Sequence, residues 1–453
     1  MLTLTGRRIV AGVFIVSFLI TAPILMLMTA GYDYNFKKSV IQKTGSFSIK
    51  PIPTDTTIRF DGEIQNGFRP DNTLRVTDLL SGSYTVRLEK NGYYPWEKEL
   101  RVDESVNVFV DEVVLFRQAT PQPLVSTEIL DWRATPTTAG YLTTVDDQLT
   151  LNVFNLTTGQ SQAIAVVADD SRIIGWSANG SKLLTADRER GAVWYDMNTR
   201  GTAIPVNVIV GQSLTNVSWA IDIDYHLFGW HGRDLYQINT ITKEYRQLYH
   251  LPVGWQPLGP VVVKGNQFFT VATDQGRGTT QVISGDLKDL GQPLQRLLAI
   301  APADDYHFQT TPIDDVVLIS RQAMTAYVFD NQLAKLKKTL AVDHYDWPAA
   351  DRLLTTNGFA VQTMANLDDE SIVITRLSQP ITAAAFIPRI DYVAYTTATT
   401  LTISELDGRD QRNSIDIIRA DRLDHFTFSP DGKTLYVAGV INSQAGLFTL
   451  GIQ

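Results

Sequence analysis

Cysteine is absent from all 453 residues. Structural disulfides, thiolate zinc sites, thiol nucleophiles and acylation of an N-terminal cysteine are therefore excluded. Charge is scarce as well: 19 % of residues are Asp, Glu, Lys or Arg, and the balance is acidic, with a formal net charge of −9. That sign repels a phosphate backbone, which excludes nucleic acid as a partner on electrostatic grounds. It also argues against broad adhesion to anionic lipid. Catalytic motifs are missing too. The six histidines (His226, His231, His250, His307, His344 and His425) form no His-Glu-x-x-His pair. There is no Gly-x-Ser-x-Gly elbow and no glycine fingerprint for phosphates on a strand-to-helix junction. Long amphipathic helices are lacking, which leaves no room for a second, α/β catalytic domain. The sequence therefore names no catalytic, no cofactor-binding and no metal-ligating residue, and implies no cofactor.

What is there is a globular chain with 44 % hydrophobic residues. Its one long apolar run lies at the N-terminus, where Ile9 to Gly31 contains no charged residue. Twenty-three helical residues rise about 35 Å, enough to cross a hydrocarbon core of about 30 Å. Pro23 lies inside the run, as membrane helices tolerate. Arg7 and Arg8 precede it, and Lys37 and Lys38 follow at a greater distance, with Asp33 between. The positive-inside rule then puts the N-terminus in the cytoplasm and the bulk outside, at the cell membrane, with a single pass. The rival reading is a cleaved signal peptide, against which stand the length of the run and Met28 three residues before a cut after Ala30. A large extracytoplasmic chain without cysteine fits a bacterial source. Residues 1–31 are thus read as cytoplasmic tip and anchor, and 32–44 as a polar linker.

Residues 45–116 alternate in the strand manner. Phe47 and Ile49, then Ile58 and Phe60, fall on one face, and Asp61-Gly62 is a hairpin turn. Tyr84, Val86 and Leu88 share a face, as do Val106, Val108 and Val110. The spacing predicts a two-layer, sandwich-like β domain of about 70 residues. Its residues resemble a known family. Ile49-x-Pro51-x-Pro53, then Ile58-x-Phe60-Asp61-Gly62-Glu63, Gly67-x-x-Pro70, Leu79-x-x-Gly82-x-Tyr84-x-Val86 and Gly92-Tyr93-x-x-Trp96 are similar to a PEGA domain. One departure stands out. Pro53-Thr54-Asp55-Thr56 occupies the place of the family's Pro-Glu-Gly-Ala, so the glycine of that turn is lost. The resemblance implies a spacer or interaction module of bacterial membrane-linked proteins, not a catalyst. Tyr93 and Trp96 are expected to pack rather than to bind.

From residue 119 onward the chain repeats. An aromatic opens successive units at Trp132, Trp176, Trp219, Phe308, Trp347, Phe386 and Phe428. The spacings are 44 and 43, then 89, then 39, 39 and 42, and the double gap divides near Pro260-Val261-Val262. Units such as Trp176-Ser177-Ala178-Asn179-Gly180 and Phe428-Ser429-Pro430-Asp431-Gly432 read as strand and tight turn. Second, third and more polar fourth strands follow. Four strands per forty or so residues is the blade of a β-propeller. The aromatic-Ser-Pro-Asp-Gly turn resembles those of TolB-type and WD40-like propellers. The fold class expected is all-β: an N-terminal transmembrane helix, the small PEGA-like domain and a propeller of about eight blades, with seven as the alternative. The last unit lacks a fourth strand. Residues 119–126 are expected to supply it and close the ring of 119–453, hiding the edges of an open array.

Two residue groups invite a site. The acidic pairs Asp146-Asp147, Asp169-Asp170, Asp304-Asp305, Asp314-Asp315 and Asp368-Asp369 recur near strand ends. A carboxylate ring for cations is one reading; turn formation is the simpler one. Asp222-Ile223-Asp224 lacks the further oxygens of a calcium loop. Trp230 and Trp255, if exposed, would stack on sugars, whereas propeller tryptophans usually pack between blades. The expected function is a membrane-anchored binding or scaffold protein of the cell envelope, with an envelope protein or glycan as its partner. An enzyme acting on extracellular polysaccharide or peptide from the propeller channel is the alternative.

Overall fold

The computed structural model describes residues 4–29, 32–35, 40–67, 70–199, 202–289, 292–302, 306–320 and 322–453. The first element is a helix, α1 (Leu4–Thr29), with Pro23 inside it. It is apolar and long enough to cross a membrane or to serve as a signal sequence. The stretch read as a linker contains a hairpin, β1 (Tyr32–Asn35) paired with β2 (Val40–Lys43).

The chain falls into two compact units. The smaller comprises residues up to Ala119 together with Asp407–Asn413 and Ile452–Gln453. Its strands are β3 (Gly45–Ile52), β4 (Thr57–Phe60), β5 (Glu63–Ile64), β6 (Leu74–Leu79), β7 (Gly82–Glu89), β8 (Trp96–Val102) and β9 (Asn107–Val114). They form two sheets, ordered β6-β3-β9 and β5-β4-β7-β8. β3 runs parallel to β9. The two-residue period puts Phe47, Ile49, Ile58, Phe60, Val86, Leu88 and Trp96 into one core. Phe47 meets Phe60 edge-on at 5.3 Å, and Phe60 stacks on Tyr84 at 5.0 Å. Val108 and Val110 face this core, but Val106 lies before the strand and is exposed. Asp61 and Gly62 both have positive φ, as a two-residue hairpin turn requires. At Pro53-Thr54-Asp55-Thr56 no residue has positive φ. The Thr56 hydroxyl closes that turn onto the Pro53 carbonyl at 2.6 Å.

The larger unit, Thr120–Leu406 and Ser414–Gly451, contains eight four-stranded antiparallel sheets. In blades 1 to 7 the four strands follow chain order. Their first strands are Asp131–Ala134, Arg172–Trp176, Thr215–Trp219, Trp255–Lys264, Tyr306–Thr310, His344–Ala349 and Ala383–Phe386. Blade 8 takes Arg422–Phe428, Thr434–Ile441 and Gln444–Gly451 from the C-terminal end, and its outer strand is β10 (Gln122–Val125). Gln122 pairs with Thr449 and Pro123 with Phe448. First strands of blades 1 to 5, and those of blades 6 and 7, lie side by side, and fourth strands are the most exposed, so the first strands line the channel of an eight-bladed propeller.

The unit-opening aromatics all fall in these inner strands, and the double gap is filled by Trp255–Lys264. Two of the tryptophans stitch blades together. Trp176 Nε1 donates to the Arg133 carbonyl at 2.8 Å, and Trp219 Nε1 to the Gly175 carbonyl at 3.2 Å. Two carboxylates do the same from the other side. Asp131 accepts the Ile173 amide and Asp346 the Phe386 amide, each at 2.7 Å. The turns of blades 2 and 8 share one network. Ser177 and Ser429 each accept the amide of the residue five positions on, and Gly180 and Gly432 sit at positive φ.

Candidate functional site

Antiparallel strands put the turns joining strands one to two and three to four at one face of the ring. The two-to-three turns and the links between blades lie at the other. At that second face a cavity of about 480 Å³ opens among blades 1 to 5.

Its wall is made by irregularity. In blade 2 the inner strand carries an extra residue between Ile173 and Gly175. In blade 3 the extra residue falls between Thr215 and Ser218, and in blade 4 two fall between Pro257 and Val261. The residues so displaced, Ile174, Asn216, Val217 and Leu258 to Pro260, are cavity-lining residues. Asn216 has φ of 52°. Bulges leave residues outside the ladder, re-aim side chains and gather beside sites. Here three consecutive inner strands bulge around one cavity.

The rim is basic. Arg133 comes from the inner strand of blade 1, Arg172 opens that of blade 2, and Arg188 sits in the two-to-three turn of blade 2. His307 stands on the inner strand of blade 5. Arg133 Nη1 donates to the Trp132 carbonyl at 2.8 Å and lies 3.4 Å from Asp131. Asp131 is itself committed to the amides of Trp132 and Ile173. Arg188 lies 3.5 Å from Asp170 and is almost fully solvated, so that pair is weak. Arg172 is exposed and has no ion-pair partner among the described residues. Asp187, the acid on this rim, accepts the Arg190 amide. Three guanidiniums thus meet at one mouth, with Asp131 and Asp170 beside two of them and Asp187 on the rim.

The opposite face differs. A cavity of about 590 Å³ there is framed by Pro136, Pro348, Pro388 and Pro430 and floored by Phe386 and Phe428. Arg352 stacks over Phe386 at 4.6 Å and lies 3.4 Å from Asp391. Burial pushes the Asp346 carboxyl above the usual carboxylate range; the bond from the Phe386 amide and the charge of Arg352 only partly offset this.

The residues singled out from sequence are scattered. Asp146 and Asp147 form a hairpin turn with φ of 49° and 60°. Asp169-Asp170 and Asp368-Asp369 also lie in turns or bends. Asp314 lies in a turn, and Asp315 bonds Lys337 at 2.8 Å. Asp304-Asp305 lies outside the described residues. Asp224 accepts the Asn179 amide at 2.5 Å. Among the described residues no group of three or more His, Asp or Glu side chains is placed to hold a metal ion. Trp230 is fully buried, 6.3 Å from Phe268, and Trp255 is buried under Arg296 at 5.0 Å. Neither is a sugar platform; both pack where blades 3 and 4 meet. His226 bonds Gln237 and His250 bonds Asp234, on blade 3, while His344 lies beside Asp343 on blade 6. The three arginines went unnoticed in the sequence because no linear spacing joins them; the pairing of Arg172 with Ala186 brings Arg172 near Arg188 within blade 2, and the neighbouring blade adds Arg133.

No protein-family model and no curated protein matches the chain. Solved structures do. An oligogalacturonate lyase in complex with manganese is 13 % identical, covering 73 % of this chain and 99 % of its own, with a TM-score of 0.42. The dipeptidyl peptidase 4 of Porphyromonas gingivalis is 11 % identical over 71 % of this chain and 59 % of its own, with a TM-score of 0.48. A eukaryotic initiation factor is 13 % identical over 74 % of this chain and 93 % of its own, with a TM-score of 0.47. These are β-propeller-type folds. They include enzymes and a protein of another kind, so the likeness does not separate binding from processing.

Proposed function

We propose that the chain is a membrane-anchored, extracytoplasmic binding or scaffold protein of a bacterial cell envelope. In this reading α1 is an uncleaved anchor with its N-terminus in the cytoplasm. The small β unit is a PEGA-like spacer or docking module. The propeller presents the mouth of its channel to a partner. The observation that carries it is the cavity built by three bulged inner strands. It offers cationic and aliphatic groups. A rigid ring with variable loops suits recognition.

The test uses full-length protein in lipid nanodiscs, offered solubilised envelope proteins and envelope polysaccharides. The expected result is retention of a specific protein, lost when Ser213→Trp fills the mouth, with every offered polymer unchanged. Turnover of a polysaccharide or peptide would replace this reading with the enzymatic one. Orientation is checked separately at Val253, which is 88 % exposed. In a chain without cysteine, Val253→Cys is the single target for a membrane-impermeant maleimide. Labelling from outside is expected; labelling only after permeabilisation would contradict the assignment.

A further inference from the structure

We infer that the basic mouth of the channel recognises a short acidic peptide segment, a loop tip or terminus of the partner, through a carboxylate set against Arg172. The inference rests on the binding reading above and names the chemistry of its ligand.

Three features lead there. The first is charge. Arg172 is solvated and has no ion-pair partner among the described residues, and Arg188 is held only by an exposed pair with Asp170. A planar guanidinium matches a carboxylate through two parallel hydrogen bonds. The wall of a concave mouth lowers the local dielectric and strengthens that contact over one on an open surface. The second is size. About 480 Å³ lies within the roughly 300–1,000 Å³ of pockets that take small ligands, which suits a few residues and not a folded domain.

The third is the wall. Its apolar part is aliphatic: Ile174 and Val217 line it, and Leu258 leaves 39 % of its surface exposed. A neutral sugar ring is commonly held by stacking on an exposed aromatic face. The one phenol ring on this wall among the described residues, Tyr306, is buried, and its hydroxyl is donated to the Ala301 carbonyl. Aliphatic side chains together with guanidiniums fit an acid beside a leucine- or valine-like neighbour. The bulged strands also put backbone groups outside the regular ladder, and such groups can pair with the main chain of an extended segment.

The experiment measures binding by fluorescence anisotropy to full-length protein in zwitterionic nanodiscs at low salt. The probe is a fluorescein-labelled octapeptide with two aspartates between leucines. Its asparagine counterpart and a labelled uronic-acid tetrasaccharide form the other arms. The acidic peptide is expected to bind at least about tenfold tighter than its amide counterpart, and more weakly as salt rises. Arg172→Gln should remove about tenfold of that affinity without changing binding of the amide peptide. Arg376→Gln, at an exposed outer-strand position, should change neither. Equal binding of the two peptides, or no effect of Arg172→Gln, would overturn the inference. So would Arg172-dependent binding of the tetrasaccharide in place of the acidic peptide. If a protein is retained through the mouth but shows no preference for acid, the binding reading stands and this inference falls. If nothing is retained, both fall.

Discussion

Replacing Lys98 by methionine removes a buried ammonium from the small β unit while keeping most of its volume. Lys98 alternates with Trp96, Leu100 and Val102 on the buried face of β8, and its side chain is wholly inaccessible. Its Nζ donates to the carbonyls of Asp407 and Arg409 at 2.8 and 2.7 Å and lies 3.6 Å from the Asp407 carboxylate. An ammonium has three donors and no acceptor, so this is a nearly complete set of partners. Asn413 and Asp410 add bonds to the backbone of Glu97 and Glu99. Each of the two carbonyls left short of a donor costs about 1–3 kcal/mol, and loss of the ammonium's own desolvation penalty offsets part of that. Asp407 keeps Arg409 at 2.8 Å, which offsets part of the loss. A net cost of about 2–4 kcal/mol for holding residues 407–413 follows, which is roughly 30- to 700-fold in the opening equilibrium. Hydrogen exchange followed by mass spectrometry on the full chain reads this directly. Peptides covering 407–413 and the amide of Glu99 should exchange faster by that factor, while the inner strands of blades 2 to 4 stay unchanged. Unchanged exchange at 407–413 would refute the role of Lys98. Uniform acceleration along the chain would show that the lysine supports the whole fold instead.

Two further outcomes follow from packing and charge. A Cβ on Gly446 would come within 2.0 Å of the Val125 carbonyl oxygen on β10. Gly446→Ala should therefore strip the outer strand from blade 8 and lower the melting temperature by several degrees, whereas Gly451→Ala, with open space around it, should not. Equal melting of the two would show that β10 does not need that close approach. Asp346 has a pKa raised by burial, so between its unfolded and folded pKa the native state holds the extra proton. Stability then falls as pH rises through that window, starting near the ordinary carboxylate value. Asp346→Asn keeps an acceptor for the Phe386 amide and removes the titration. Its stability relative to the parent should grow from pH 4 upward and then level off, and a difference independent of pH would contradict the assignment.

The architecture was legible where local chemistry repeats. Seven of the eight inner strands carry an aromatic in the repeat, that of blade 4 being skipped, and turns such as Asn179-Gly180 and Asp431-Gly432 need the backbone freedom of glycine. Alternation showed the core of the small β unit, because Phe47, Ile49, Ile58 and Phe60 must face one way for burial. Val106 misled because a strand pattern does not say where the strand begins. Trp230 and Trp255 could not be told from exposed platforms by sequence, since a tryptophan between blades and one on a face have the same neighbours along the chain. The basic mouth was invisible for a different reason. Arg172 and Arg188 meet through strand pairing inside blade 2, Arg133 joins them only when blade 1 packs beside it, and the bulges that shape the cavity have no residue signature. Likewise, nothing local marks Asp407–Asn413 as part of the small β unit; it is the buried Lys98 that receives it.

The working face of the ring can be tested most directly by cross-linking from it. Because the chain has no cysteine, Ser213→Cys at the mouth and Lys335→Cys on the outer strand of blade 5 each accept one photoactivatable maleimide. After illumination of cells producing the full-length protein, a discrete protein adduct from position 213 and none from 335 is the expected result. An adduct from the outer strand alone, or from both positions equally, would contradict recognition at the channel mouth.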